Sequence, residues 1–356
     1  MPELPPAVAR LRERLEIALD SEIDRLWARL VGLHPNLAPL ADELRAFVLR
    51  GGKRLRPLFV LLGFQAAGGG DPQAVMGPAL ALELLHTCAL VHDDVIDQAA
   101  LRRGRPAVHA AFARRLTLAV GPGCHDRYGE AAAILLGDLA FVQADELFLR
   151  SEVAPARLLS AFKVFTAMRE EVTAGQFLDV EAASSGATSV ELALSIARYK
   201  SGSYSVARPL QIGAALASDG DKIAGKLAAA GLPLGQAFQL RDDVLSVFGA
   251  EAEIGKPTAS DLTEGKRTLL VALTAERLDP PSRARFDSLL GRPNLSKEQA
   301  DELRGLMHAS GGLAATQRWT DELFKQAMQE LEALPIKEEA RRALRDLALY
   351  LVARNV

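Results

Sequence analysis

Aromatic side chains make up only 5% of this 356-residue chain, and Cys88 and Cys124 are its only cysteines. Scarce aromatics, with heavy use of Ala and Leu, favour helices over sheet. The two cysteines have neither metal-ligand nor redox spacing, which suits idle or buried thiols in a reducing cytoplasm. A net charge of -3 provides no global field to recruit nucleic acid or an anionic membrane, so any anion site must be a local cluster of basic residues. The opening MPELPPAVARLRERLEIALD lacks the apolar core of a signal peptide. Asp, Glu, Arg or His interrupts each apolar run before it reaches the roughly 18 residues of a membrane span. No glycine-rich strand-to-helix turn suggests a dinucleotide or P-loop fold, and no linker is long enough to divide the chain. The expectation is one soluble, cytoplasmic, all-α domain over residues 1–356, with a large core drawn from the 49% of residues that are hydrophobic.

Helical periodicity dominates. From Pro6 to Leu33, Val8, Leu11, Leu15, Leu19, Ile23, Leu26 and Leu30 fall on one face. Further helices are predicted over about Ala41–Leu49, Pro57–Ala67, Pro72–Asp97, Gly129–Ser151, Pro155–Ala183, Ser189–Lys200, Gly202–Ala217, Asp221–Phe248 and Thr268–Leu278, with three more pieces after Ser296. Gly51-Gly52, Gly68-Gly69-Gly70, Gly121-Pro122-Gly123, Ser185-Gly186, Gly231-Leu232-Pro233, Lys256-Pro257 and Gly291-Arg292-Pro293 read as punctuation. One pattern recurs: an apolar helix reaches Asp-Asp at Asp93-Asp94 and again at Asp242-Asp243. Such a pair suits a bundle whose central cleft is lined from two sides.

The stretch ALELLHTCALVHDDVIDQAALRRGRPAVH places Asp93, Asp94 and Asp97 within five positions. Asp93 and Asp97 stack one turn apart, where like charges weaken a helix unless a cation compensates them. Carboxylate oxygens suit Mg²⁺, which takes one or two of them together with phosphate and water. Arg102, Arg103 and Arg105 follow, and guanidinium groups bind phosphate oxygens bidentately. His86 lies two turns before Asp93 on the same helix. The second cluster repeats this logic: Gln239 lies one turn before Asp242-Asp243, and Lys256 and Lys266 flank a turn-rich segment with Asp261 and Glu264. GGKRLRP packs Lys53, Arg54 and Arg56 behind two glycines, and Lys200-Ser201 marks an expected helix break. Two acidic metal-like sites and several basic patches suit a reaction on two polyphosphorylated substrates, one held by metal and the other by Lys and Arg.

In this order the motifs resemble those of the trans-prenyltransferases, the polyprenyl diphosphate synthases, over about residues 40–350. The resemblance rests on Gly51–Pro57, Asp93–Asp97 with Arg102-Arg103-Gly104, Gly137-Asp138, Gly175-Gln176 with Asp179, Lys200-Ser201, Phe238-Gln239 with Asp242-Asp243, and Gly255-Lys256-Pro257 through Gly265-Lys266. LLHTCALVHDDVID and RDDVLSVFG look closest to actinobacterial geranylgeranyl or farnesyl diphosphate synthases.

The resemblance implies an all-α bundle around a deep cleft, a homodimer, and three Mg²⁺ ions: two on Asp93 and Asp97, a third on Asp242, with Asp94 and Asp243 in support. It assigns Arg102, Lys200, Ser201, Gln239, Lys256 and Lys266 to the allylic diphosphate, and Lys53, Arg56, His86 and Arg103 to isopentenyl diphosphate. Product length is expected to depend on Cys88 and Ala89 beneath Asp93, where relatives with short products carry aromatic residues. Small residues there point to a C20 product, with farnesyl or longer chains as alternatives.

Serine stands at 246 where many members carry a third aspartate. That raises a class I terpene cyclase as a rival, since cyclases use an Asn/Asp, Ser/Thr, Glu triad spaced by four and four. Asp242 and Ser246 fit the first interval, but Glu251 falls one residue late, about 100° around a helix. Cyclases also lack the GGKRLRP patch. A non-catalytic regulatory subunit is the other rival; such subunits typically lose the aspartate motifs that this chain keeps.

Overall fold

The computed structural model describes residues 4–121, 123–217, 221–249, 260–292 and 294–352. These residues are mostly helical, joined by loops and turns, with one two-stranded hairpin as the only strands among them. The chain divides into two compact units: Pro6–Leu61 with Gly70–Leu158, and Leu62–Gly69 with the chain from Leu159 onward.

In the first unit, α1 (Pro6–Leu33) buries Val8, Leu11, Leu15, Leu19, Ile23, Leu26 and Leu30, the face its periodicity predicts, and packs on α2 (Ala38–Leu49). α3 (Leu55–Ala66) starts in this unit and ends in the other. α4 (Met76–Ile96) is the central helix and packs along α6 (Asp126–Leu149), with α5 (Val108–Val120) on the other flank of α6. With the 3-10 turn before it, α4 spans Pro72–Ile96, long and apolar enough by length and composition to cross a membrane, but 72% of its most apolar window is buried in the protein. That stretch is more continuous than the sequence reading allowed, and its apolar side chains are spent on the core. A close approach sets the α4–α6 spacing: a Cβ on Gly137 would lie 2.2 Å from His92 Nε2.

In the second unit, α7 (Pro155–Ser185) leads through α8 (Val190–Ile196), capped by Ser189, into a π-helix at Ala197–Ala207, then α9 (Arg208–Ala217) and α10 (Asp221–Phe248). α10 packs against the π-helix, α9 and the helix Gly312–Glu332. A second cluster, including Val247, Leu262, Leu270, Phe286, Leu303 and Met307, fills the space under the C-terminal helices.

Two punctuation readings fail here, although the helix predicted over Asp221–Phe248 is found, and two elements come as additions. Gly231-Leu232-Pro233 does not end a helix: α10 runs through Pro233. Its glycines serve close packing instead, since Cβ atoms at Gly231 and Gly235 would meet Ala207 Cα at 3.0 Å and the Gly202 carbonyl oxygen at 2.5 Å. Lys200-Ser201 is not a break but part of the π-helix. α5 and the hairpin β1 (Leu101–Arg102) and β2 (Arg105–Pro106) were not anticipated.

Candidate active site

The first unit brings together the first aspartate motif and the basic patch. α4 ends at Asp97, whose backbone N–H caps the helix on the Asp93 carbonyl at 2.8 Å, so Asp93 and Asp97 stack one turn apart as predicted. Asp94 points into the protein and is fully buried. Arg102, on β1, donates Nε to Asp94 Oδ1 at 2.8 Å and Nη2 to both Asp94 and, at 3.3 Å, Asp93 Oδ2. Burial disfavours the charge on Arg102, yet Asp94 and Asp93 outweigh it and hold the guanidinium above its ordinary pKa.

The β1–β2 hairpin turns through Arg103 and Gly104 at φ +52° and +72°, the pair of positive φ values that suits a two-residue hairpin. This turn aims Arg103 at the glycine loop, where Nη1 donates to the Gly51 carbonyl at 2.6 Å. A Cβ on Gly52 would lie 3.3 Å from the mobile end of Arg103, and its φ of +140° is the reason the loop needs glycine there. His86, half-buried on α4, has its pKa pushed well below the ordinary value by burial and then by Arg56, Arg103, Arg102 and Arg54. Four arginines converging on one imidazole make the local basic cluster that a chain of charge -3 requires for an anion site. Lys53 lies in the same glycine loop, half-buried.

Arg54 differs from its neighbours. It is buried at φ +51°, donates to Glu83 and to the Val48 carbonyl (2.9 Å), and forms a fork on Glu16 at 3.1 and 3.2 Å. It is a strut that braces the loop.

Cys88 is buried with its sulfur 3.7 Å from His92 Nδ1, while Ala89 is half-buried. Burial, then the charge of Asp138, pushes the Cys88 thiol up to about 12, so it behaves as a small apolar group.

The second unit carries the second motif. α10 presents Gln239, Asp242 and Asp243 within one turn. Asp243 is buried; burial and the carboxylates of Asp261, Asp242 and Asp179 push its pKa up to about 8, against the lowering effect of a 2.6 Å hydrogen bond from Gln239 Nε2. The Gln239 side-chain carbonyl accepts from the Ser201 hydroxyl, and Lys200 forms an ion pair with Asp179. The Ser246 hydroxyl lies within reach of the Asp243 carbonyl (2.8 Å) and of the Asp261 carboxylate. Asp261 thus places a carboxylate beside the position where the serine has none, a role no helical spacing reveals. Lys266 Nζ lies 2.6 Å from Glu264 and 3.7 Å from Asp261. Lys256 falls outside the described residues.

Among the described residues, no three His, Cys, Asp or Glu side chains converge to enclose a metal ion by themselves. The donor set still suits Mg²⁺, which needs only one or two carboxylates and completes its octahedron with substrate phosphate and water. Several acids crowd one buried space there, and this crowding, after burial, raises the pKa of Asp243 and favours a cation or a proton.

Residues 38–307 match the polyprenyl synthetase family. The geranylgeranyl pyrophosphate synthase of Corynebacterium glutamicum, solved with isoprenyl diphosphate and magnesium, superposes with a TM-score of 0.92 at 34% identity, over 96% of this chain and 98% of that one. The geranylgeranyl diphosphate synthase of Saccharolobus solfataricus is 30% identical over 86% of this chain and 87% of its own. The nonaprenyl diphosphate synthase of Mycobacterium tuberculosis is also 30% identical, over 89% and 87%. An all-helical fold with these matches defines a trans-prenyltransferase. The chain belongs to the polyprenyl synthetase family.

Proposed function

We propose that the protein condenses isopentenyl diphosphate with an allylic diphosphate and releases mainly the C20 product, geranylgeranyl diphosphate. The observation that carries this reading is the first unit's pairing of Asp93 and Asp97 with the cluster of Arg56, His86, Arg102 and Arg103. Metal-seeking carboxylates and phosphate-seeking guanidinium groups occur there in one small region. The magnesium and isoprenyl diphosphate held by the C. glutamicum structure support the same chemistry.

Asp93 and Asp97 would hold two Mg²⁺ ions and Asp242 a third, with Asp94 and Asp243 behind them. When bound, these ions stabilise the negative charge that grows on a departing diphosphate. Arg102, Lys200, Ser201, Gln239, Lys256 and Lys266 hold the allylic diphosphate, and Lys53, Arg56, Arg103 and His86 hold isopentenyl diphosphate. Because His86 is kept neutral, it donates one N–H to a phosphate oxygen and leaves the charge to the arginines. The released diphosphate takes the proton, so no protein base is required.

A homodimer is part of this proposal. Leu135, Val142 and Leu149 recur every seven residues along α6 at 57–62% exposure, with Ile134 and Phe141 beside them, a stripe suited to a second copy. Cytoplasmic siting is proposed on the two free thiols.

The test is incubation of the purified protein with isopentenyl diphosphate and each of three allylic starters, with and without Mg²⁺. A C20 prenyl diphosphate from protein and Mg²⁺ alone is expected. Activity unaffected by EDTA would overturn the metal assignment, cyclised hydrocarbons would indicate a cyclase, and turnover only with a partner would indicate a regulatory subunit. Cys88→Phe is expected to shorten the main product by at least one isoprene unit.

A further inference from the structure

A π-helix rarely lasts beyond a single turn, yet this one runs for 11 residues from Ala197 to Ala207 and contains Lys200 and Ser201. One face of α7 holds it through three residues spaced by four, Glu171, Gly175 and Asp179. Glu171 accepts from Nε (3.0 Å) and Nη2 of Arg208, the residue that caps the π-helix, and from the Ser203 hydroxyl inside it. The third arm of Arg208 reaches Gln211 at 2.6 Å. Burial works against the charge of Glu171, but Arg208 and Ser203 prevail and hold its carboxyl below the usual range. At Gly175 the two backbones touch: a Cβ there would lie 2.4 Å from the Lys200 nitrogen. On the opposite side, Gly235 of α10 closes on the Gly202 carbonyl, where a Cβ would lie at 2.5 Å.

The register so fixed puts Lys200 on Asp179 and Ser201 on Gln239, and Gln239 continues to Asp243. Relaxation of the segment to an ordinary α-helix, which turns about 100° per residue, would change its twist and so rotate Lys200 and Ser201 away from these partners. We propose that Glu171 is a positioning residue for the prenyl transfer: with Arg208 and Ser203 it pins the π-helix so that Lys200 and Ser201 reach the allylic diphosphate. Glu171 itself touches no substrate. The inference rests on the assignment of Lys200, Ser201 and Gln239 to that diphosphate.

Glu171→Gln in the full-length enzyme tests it, with amide hydrogen exchange over residues 197–207 and separate KM values for the two substrates. Exchange is expected to speed up by about tenfold or more and the KM for the allylic substrate to rise by about tenfold, while the KM for isopentenyl diphosphate stays within about twofold. Unchanged exchange overturns the clamp, and equal shifts in both KM values reduce Glu171 to a fold residue, which also overturns it. Lys200→Ala separates the premise from the inference: if it leaves the allylic KM unchanged, the site assignment has failed and the proposal falls with it. If Glu171→Gln does not fold, Ser203→Ala removes one arm of the clamp and is expected to move the same readouts in the same direction by less; no movement there overturns the proposal.

Discussion

Asp94 and Asp243 are both buried carboxylates next to an aspartate proposed to hold metal, and their surroundings differ sharply. In the first unit, Arg102 meets Asp94 with two hydrogen bonds and reaches Asp93. In the second, Asp243 lies among Asp242, Asp261 and Asp179, receives one hydrogen bond from Gln239, and has its pKa pushed up to about 8. The first half-site has a guanidinium on its buried carboxylate before any ligand arrives, whereas in the second the buried Asp243 faces three other carboxylates, and Lys200 is committed to Asp179. Two motifs alike in sequence therefore start from different states.

The comparison can be broken at several points. The largest effect is expected from Asp93→Ala or Asp242→Ala, each lowering kcat/KM by about 10²–10³-fold in steady-state assays with Mg²⁺, as for loss of one group aimed at developing charge. Ser246→Ala should cost less than about tenfold, because Asp261 supplies the nearby carboxylate; a larger loss would show that the serine itself carries the site. Arg54→Met should destabilise the first unit by about 3–5 kcal/mol in denaturant titrations, since Glu83 is left buried without its partner. Asp94→Asn and Asp243→Asn are the direct contrast. The first should destabilise the metal-free protein by about 3 kcal/mol, and the second should stabilise it on the order of 1 kcal/mol near neutral pH, because folding no longer has to protonate that carboxylate. The same sign for both would end the distinction between the half-sites.

The smallest effect concerns pH. His86 stays neutral in the fold while the unfolded chain takes up a proton below its ordinary pKa of 6.5, so stability falls as pH drops beneath that value. His86→Gln should flatten this acid-side fall in melting temperature and leave the curve above about pH 7 unchanged.

Long regular elements were legible from periodicity. Pro6–Leu33 and Asp221–Phe248 begin and end where the apolar spacing predicts. Both aspartate pairs, the basic cluster around His86 and the family itself also followed from spacing and motif order. What stayed hidden depends on tertiary contact. The π-helix carries no period that a search for 3.6-residue repeats detects, and the α7 residues that contact it, Glu171, Gly175 and Asp179, precede it by 18 to 26 residues. Arg54 reads like its neighbours Lys53 and Arg56, and only burial against Glu83 and Glu16 separates this brace from the residues proposed to hold a diphosphate. α5 buries just Val108 and Phe112, too few for a periodic signal. Asp261 lies 15 residues from Ser246 in sequence, so no local spacing links them.

The hairpin turn at Arg103 has a consequence for anyone who would harden this protein. An arginine in left-handed backbone gives up roughly 1 kcal/mol that Asn or Gly would keep. A screen for thermostability alone would therefore drift toward Asn-Gly at 103–104, offset in part by the lost contact to Gly51. On the role proposed for Arg103 in holding isopentenyl diphosphate, such variants would melt later and bind that substrate less well. On that proposed role, Arg103 at this turn trades durability for substrate binding at a single backbone angle.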